Sequence, residues 1–296
     1  MIGAKSSLAT MALVLLSWAT LPAFGQTTIT QWNFNIGATV AAPFNSPAPT
    51  TGSGTATSLG MTNTYTYAGT TATNSVTSDD VLQSPGVANP SFSEYTWRLR
   101  GAYVSTGVAP NNGTVTKSGN VNGWNLSAPQ YTQGAEFDAS TVGYQNIMFS
   151  YDWYSTNQGV RDLQEQYNLD INNPSDPLDV WTNINPLQVA VPNDYDSATS
   201  PSNTIDLSSI TGASNDPNLG IRLVSAYDPT YTGAGAPTYT SATLTAGEPV
   251  QYNNDSGNWR FGNITFSGTA VPEPASASIF AIGALGLAMR RRRAAK

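Results

Sequence analysis

The sequence predicts an all-β fold, an antiparallel β-sandwich, and three observations carry that prediction. The interior of the chain is rich in Thr, Ser, Asn, Gly and Tyr, with only 10% charged residues overall, a mixture that favours strands and turns. Several segments alternate strictly between apolar and polar positions. Between the two ends no segment holds a capped helical period, and no repeat of fixed length occurs.

Taken in order, strands are expected at Thr28–Phe34, Tyr95–Tyr103, Ala135–Ala139, Asn146–Tyr154, Leu163–Ile171, Leu219–Tyr227 and Asn258–Ser267. In Asn146–Tyr154 one face collects Ile147, Phe149, Tyr151 and Trp153, and the other Met148, Ser150, Asp152 and Tyr154. In Leu163–Ile171 the face of Leu163, Glu165, Tyr167, Leu169 and Ile171 opposes a wholly polar one of Gln164, Gln166, Asn168 and Asp170. The Pro-, Gly-, Ser- and Thr-rich stretch 41–77 reads as a long surface loop or an excursion between the first strand and the rest.

Both ends differ in composition from the middle. Lys5, the apolar stretch Leu8–Trp18 and the small residues around Ala23 and Gly25 have the order of a signal peptide spanning 1–25, cleaved by a signal peptidase before Gln26. A domain of residues 26–270 follows. The tail, 271–296, opens with Val271, Pro272, Glu273 and Pro274, where two prolines stop any helix from running out of the preceding strand. The apolar run Ala275–Met289 is shorter than the roughly 20 residues of a full membrane span. Directly after it Arg290, Arg291, Arg292 and Arg293 act as a stop that stays on the cytoplasmic side, which makes the run a single apolar membrane helix.

These three elements at the C-terminus resemble the sorting tail of the PEP-CTERM proteins. The resemblance implies recognition by an exosortase, an integral membrane protease-transpeptidase, with an inner-membrane-anchored precursor that is then delivered to the cell surface or extracellular matrix. The middle resembles a recurrent exported domain of the same proteins in Trp32-Asn33-Phe34-Asn35, Thr96-Trp97-Arg98-Leu99-Arg100-Gly101, Thr132–Phe137, Asn146–Tyr154 and Gly257–Phe266. That resemblance implies a jelly-roll-like sandwich of the lectin or carbohydrate-binding kind. It departs at Gly262-Asn263, where an Asp-Asn pair is expected, and this weakens any metal role for a carboxylate in the last strand.

The sequence excludes much chemistry. It has no cysteine and no histidine, so disulfides, thiolate nucleophiles, Ser-His-Asp triads and imidazole zinc sites are out of reach. Of 19 acidic residues only Glu273 lies outside 26–270, whereas of 12 basic residues Lys5, the four tail arginines and Lys296 do, leaving 18 acidic against six basic. Such a domain repels phosphate backbones, so no nucleic-acid partner is expected.

Among possible contact residues, Trp32, Trp97, Trp124, Trp153, Trp181 and Trp259 could each stack on a sugar ring. Trp32, Trp153 and Trp259 lie in strand patterns and are expected in the core, whereas Trp124, between Asn122-Gly123 and Asn125 in a turn-like setting, is the better exposed candidate for glycan contact. The segment from Asp170 through Asn172 and Asp176 to Asp179 gathers the oxygen donors calcium takes, but these are also ordinary turn residues, and no metal site or cofactor is assigned. Glu136, Asp138, Asp152 and Glu165 could supply a glycosidase pair, yet their spacing matches none, and solvated strand charges are the expected role. Arg98 and Arg100 share a face and are expected to pair with acidic neighbours. No catalytic residue is assigned. The expected protein is a non-enzymatic exported surface or matrix component, with a carbohydrate-binding module contacting exopolysaccharide or envelope glycan as the alternative and a glycoside hydrolase as the last one.

Overall fold

The computed structural model describes residues 25–34, 46–60, 128–157, 159–172, 180–190, 203–243 and 259–271, together with short strand segments between 65 and 121 and at 194–195. The expected signal peptide as far as Phe24, the tail from Pro272 with its apolar run and Arg290–Arg293, Trp124, Asp176, Asp179 and the side chains of Arg98 and Arg100 lie outside the described residues.

Among the described residues every regular element is a strand. The larger sheet has seven strands: β1 (Thr27–Trp32), β5 (Ser75–Ser78), β8 (Tyr95–Leu99), β12 (Tyr144–Ser155), β16 (Asp194–Tyr195), β17 (Asn203–Asp206) and β19 (Trp259–Ala270). The second has six: β2 (Gly54–Leu59), β11 (Gly134–Ala139), β13 (Asp162–Asn168), β14 (Thr182–Asn183), β15 (Gln188–Val189) and β18 (Leu219–Ser225). Three small ribbons complete the set, pairing β3 (Tyr65–Tyr67) with β4 (Thr70–Ala72), β6 (Leu82–Ser84) with β7 (Val87–Ala88), and β9 (Ala102–Tyr103) with β10 (Asn120–Val121).

Both large sheets are antiparallel throughout. From β11 to β13, and again from β17 to β19, the chain crosses to the other sheet at each successive strand, the winding of a jelly-roll-like sandwich. No helix among the described residues is long and apolar enough to cross a membrane.

The larger sheet is built on β12 and β19, each of 12 residues, paired from Tyr144↔Ala270 to Ser155↔Trp259. Register shifts interrupt the pair between Gln145 and Met148 and between Ser150 and Asp152. At each lies an asparagine in the left-handed region, Asn146 (φ 53°) and Asn263 (φ 46°). Asparagine tolerates that backbone better than other β-carbon residues, so both bulges have a local chemical cause. Asn263 also explains the departure at Gly262-Asn263. Its amide Nδ2 donates to Asp152 Oδ2 at 2.6 Å, and a Cβ on Gly262 would lie 3.6 Å from the same carboxylate, so an aspartate there would face a like charge.

Aromatic rings fill the space between the sheets. Phe137, from the six-stranded sheet, meets Trp32 at 5.6 Å, Trp97 at 5.9 Å, Phe149 at 6.0 Å and Phe261 at 6.2 Å, mostly edge to face. Trp153 and Trp259 pack at 5.3 Å and 83°. Trp32, Trp153 and Trp259 are buried in this core as their strand patterns predict.

Three expectations need correction. The stretch 41–77 contains β2, which pairs along the whole of β11 and buries Ala56 and Ser58. Opposite Gly54 the Trp32 indole fills the space: a Cβ on that glycine would lie 2.9 Å from the ring. Tyr95–Tyr103 is two elements, β8 in the large sheet and β9 paired with β10. The strand expected to reach Ile171 stops at Asn168, and its polar face is covered, not solvated: Gln164, Gln166 and Asn168 are all buried. The segment 180–190 accounts for part of this, accepting from Gln164 Nε2 at Ile184 O (2.8 Å) and from Gln166 Nε2 at Asn183 Oδ1 (2.8 Å).

Phe137→Ala empties the meeting point of four aromatic rings and is expected to cost about 3–5 kcal/mol in urea unfolding. Val189→Ala, on an exposed edge, should shift the midpoint by less than about 0.5 kcal/mol. Equal losses for the two would show that Phe137 does not organise the core.

Candidate functional site

Alternation on the six-stranded sheet turns Thr57, Glu136, Arg222, Gln166 and Asn183 outward in one cross-strand row, and Thr55, Asp138, Gly220 and Asn168 in the next. Arg222 Nε donates to Glu136 Oε2 at 2.6 Å, and its guanidinium lies 3.9 Å from the centroid of the Trp181 ring. The indole continues over Gly220. A Cβ there would lie 2.5 Å from Ile171 Cγ2, 2.9 Å from Trp181 Cη2 and 3.0 Å from Asp138 Oδ1, so only glycine admits both side chains against the sheet. Trp181 is half-buried, flanked by exposed Thr182 and Asn183.

Asp138 lies beside this apolar cover. Thr55 Oγ1 donates to its Oδ2 at 2.6 Å, while Oδ1 is buried without a hydrogen-bond partner. Burial pushes its carboxyl up to about 7; Glu136 adds to the rise, and the Thr55 bond and Arg222 oppose it. Next to Asp138 opens a concavity of about 250 Å³ lined by Ser53, Thr55, Ser140, Asn172 and Asn218 among others. A second, of about 570 Å³, lies beyond Asn218 against Tyr167, Leu169, Val180 and Asp216.

A chain of hydrogen bonds ties the turns that bound both concavities. Asn172 Nδ2 donates to Asn218 Oδ1 at 2.7 Å, Asn218 Nδ2 to Asp170 Oδ1 at 3.3 Å, and the Asn218 N–H to Asp216 Oδ1 at 2.7 Å. Burial raises the Asp216 carboxyl, with Asp170 adding to the effect and the Asn218 bond opposing it. Of the calcium candidates, Asp170 and Asn172 are thus joined through Asn218, while Asp176 and Asp179 fall outside the described residues. Among the described residues no group of three or more acidic side chains is gathered in a way that could hold a metal ion.

The four strand carboxylates depart from the solvated role expected of them. Glu165 points between the sheets and is 1% exposed, accepting from the Tyr151 hydroxyl at 2.6 Å and from Asn185 Nδ2 at 2.7 Å. Burial raises its carboxyl, against the pull of those two bonds. Asp152 is 2% exposed and bonded to Asn263, and Asp138 is 9% exposed. Glu136, half-buried, is the one paired with an arginine. Sequence periodicity assigns a face correctly but cannot report that a loop covers it. The same limit applies to Trp181: only the register of β13, β14 and β18 sets it above Arg222 and Gly220.

Two of the buried carboxyls, Asp138 and Asp162, are each raised to about 7, for Asp162 chiefly by burial and further by Asp228, against Arg161. Both hold a proton more tightly folded than unfolded. Their stabilisation is therefore full below the ordinary value of 3.8 and is lost as pH rises through about 7. The wild-type chain should be less stable to urea at pH 8 than at pH 5, and Asp138→Asn should recover on the order of 2 kcal/mol of that difference. A variant that tracks wild type at both pH values would remove Asp138 as a cause.

The tail follows directly on this domain: Ala270 is the last residue of β19, and the Val271 N–H donates to Gly143 O at 2.8 Å. The PEP-CTERM protein-sorting motif matches residues 270–293, covering Pro272, Glu273, Pro274, the apolar run and Arg290–Arg293. No curated protein matches the chain significantly. The chain is thus an exported protein that carries a PEP-CTERM protein-sorting motif on the end of an all-β, sandwich-forming domain and depends on an exosortase for its sorting.

Proposed function

We propose that the protein is a non-enzymatic component of the cell surface or extracellular matrix, exported by a signal peptide ending at Gly25 and held at the membrane by its apolar tail until it is processed near Pro272–Pro274. The observation that carries this reading is the sorting motif attached without a linker to a folded domain. The state of the carboxylates supports the non-enzymatic part. Glu136 is engaged by Arg222, Asp152 by Asn263 and Glu165 by Tyr151 and Asn185, and Asp138 Oδ1 has no access to solvent. A glycosidase pair needs two carboxyls free to flank a sugar.

Mass spectrometry of the exported protein should find a start at Gln26 and loss of the residues after the Pro-Glu-Pro motif. Intact Arg290–Lys296 throughout the extracellular pool would sink the processing step.

A second reading, a carbohydrate-binding module, is favoured by one feature, the Trp181 indole beside Arg222, Gln166 and Asn183. A half-exposed ring with planar amide and guanidinium neighbours suits a sugar's apolar face and its hydroxyls. If the domain binds a neutral polysaccharide in affinity electrophoresis, Trp181→Ala should weaken binding about tenfold and no reducing sugar should be released. Binding unchanged by Trp181→Ala would move the contact elsewhere, and sugar release would revive the hydrolase.

A further inference from the structure

We propose that the end of the sandwich formed by the turn 140–143 and the segment 213–216 is a docking surface for the membrane-associated enzyme that processes the sorting motif. The inference rests on the sorting reading above and adds the partner surface on the folded domain.

The argument begins with chain length. β19 keeps its register to the last residue, with Thr269 opposite Gln145 and Ala270 opposite Tyr144, and the Val271 N–H still bonds Gly143 O at 2.8 Å. Only Pro272, Glu273 and Pro274 then precede the apolar run that starts at Ala275. Four residue steps, fully extended, span at most about 14 Å. The sandwich end is therefore held within that distance of the membrane-inserting segment, and an enzyme acting on Pro272–Pro274 must approach against this end of the domain.

That end is built as a firm platform. Thr141 is buried; its N–H donates to Asp216 O at 2.6 Å, its hydroxyl donates to Ala213 O at 2.7 Å, and the Asp216 N–H donates back to Thr141 Oγ1 at 2.9 Å. The Gly143 N–H donates to Asn215 Oδ1 at 3.0 Å, and the Asn215 N–H to Tyr144 O at 2.9 Å. A turn anchored this closely on both sides holds its tip in one place. At that tip Val142 is 53% exposed, and Val271, across the Gly143 bond, is 44% exposed. Each alone would be ordinary for a protein surface, but together they flank the strand that leads into the motif.

Charge argues against the lipid surface as the partner. Among the described residues this end carries exposed Asp206 and half-exposed Asp170 and no lysine or arginine. Anionic headgroups repel such a surface, so bilayer proximity alone does not give an attraction.

The test uses the full chain in its native host, following loss of the tail after a pulse of synthesis. Val142→Asp should be trimmed about five- to tenfold more slowly than wild type, as for loss of a central contact residue. Val142→Thr, which keeps the shape and removes apolar surface, should be slowed in the same direction and guards against an aspartate that disturbs the turn. Val189→Asp, an exposed valine at the opposite end of β13, should be trimmed normally. Glu273→Ala reports on the motif itself. Blocked Glu273→Ala with wild-type trimming of both Val142 variants would overturn the docking surface and leave the sorting reading standing, whereas normal trimming of Glu273→Ala would overturn the sorting reading first. Equal slowing by Val142→Asp and Val189→Asp would reduce the effect to added charge and overturn the proposal. So would Val142-dependent flotation of the processed protein with phosphatidylglycerol–phosphatidylethanolamine vesicles, which would assign the contact to lipid.

Discussion

The antiparallel pairing of β12 with β19 is the constraint on which the rest of the molecule depends. It runs the length of the larger sheet, takes β17 and β16 on one side and β1 and β8 on the other, and ends at the residue before the sorting tail. Two bulges at Asn146 and Asn263 interrupt the pair, and each bends its strand and adds to the local twist. The second bulge also aims an amide at Asp152, so one backbone feature both bends the strand and satisfies a buried carboxylate.

Across the sandwich, size complementarity replaces the cross-links that a cysteine-free exported domain lacks. The Trp32 indole on the seven-stranded sheet faces Gly54 on β2, while Phe137 on β11 packs among four rings of the opposite sheet. Indole N–H groups at the margins of this core find backbone carbonyls, Trp32 with Pro47 O and Trp259 with Val160 O. The aromatic interior is thus tied to the loops that close it, and burial of ring area supplies the stabilisation that disulfides give smaller exported domains.

The outer face of the six-stranded sheet is governed by a different balance. Its residues are polar, yet the segments 169–172 and 180–190 fold back over part of it, and Gly220 is the gap that lets Ile171 and Trp181 reach the sheet. Desolvation then falls on whatever lies beside the gap, which is Asp138. An acidic domain consequently holds two carboxyls raised to about 7, a property set by burial and not by the number of acids in the sequence.

The sequence by itself determined the sandwich class, the positions of β1, β11, β12, β18 and β19, the core placement of Trp32, Trp153 and Trp259, and the sorting tail. Each of these is written in local order: a two-residue alternation, or a motif, an apolar run and a basic block in succession. Strand β2 is hidden because Gly54, Ala56 and Ser58 carry no hydrophobic signal; at Gly54 the space a side chain would take is occupied by Trp32, 22 residues away in sequence and on the other sheet. Tertiary structure alone decided that Glu165 lies between the sheets with Tyr151, that Asp138 is covered, that Trp181 stands over Arg222, and that Val142 flanks the exit of the chain. Alternation tells which residues share a face, but burial, pairing and proximity depend on what the rest of the chain brings to that face, and those partners lie far away in sequence.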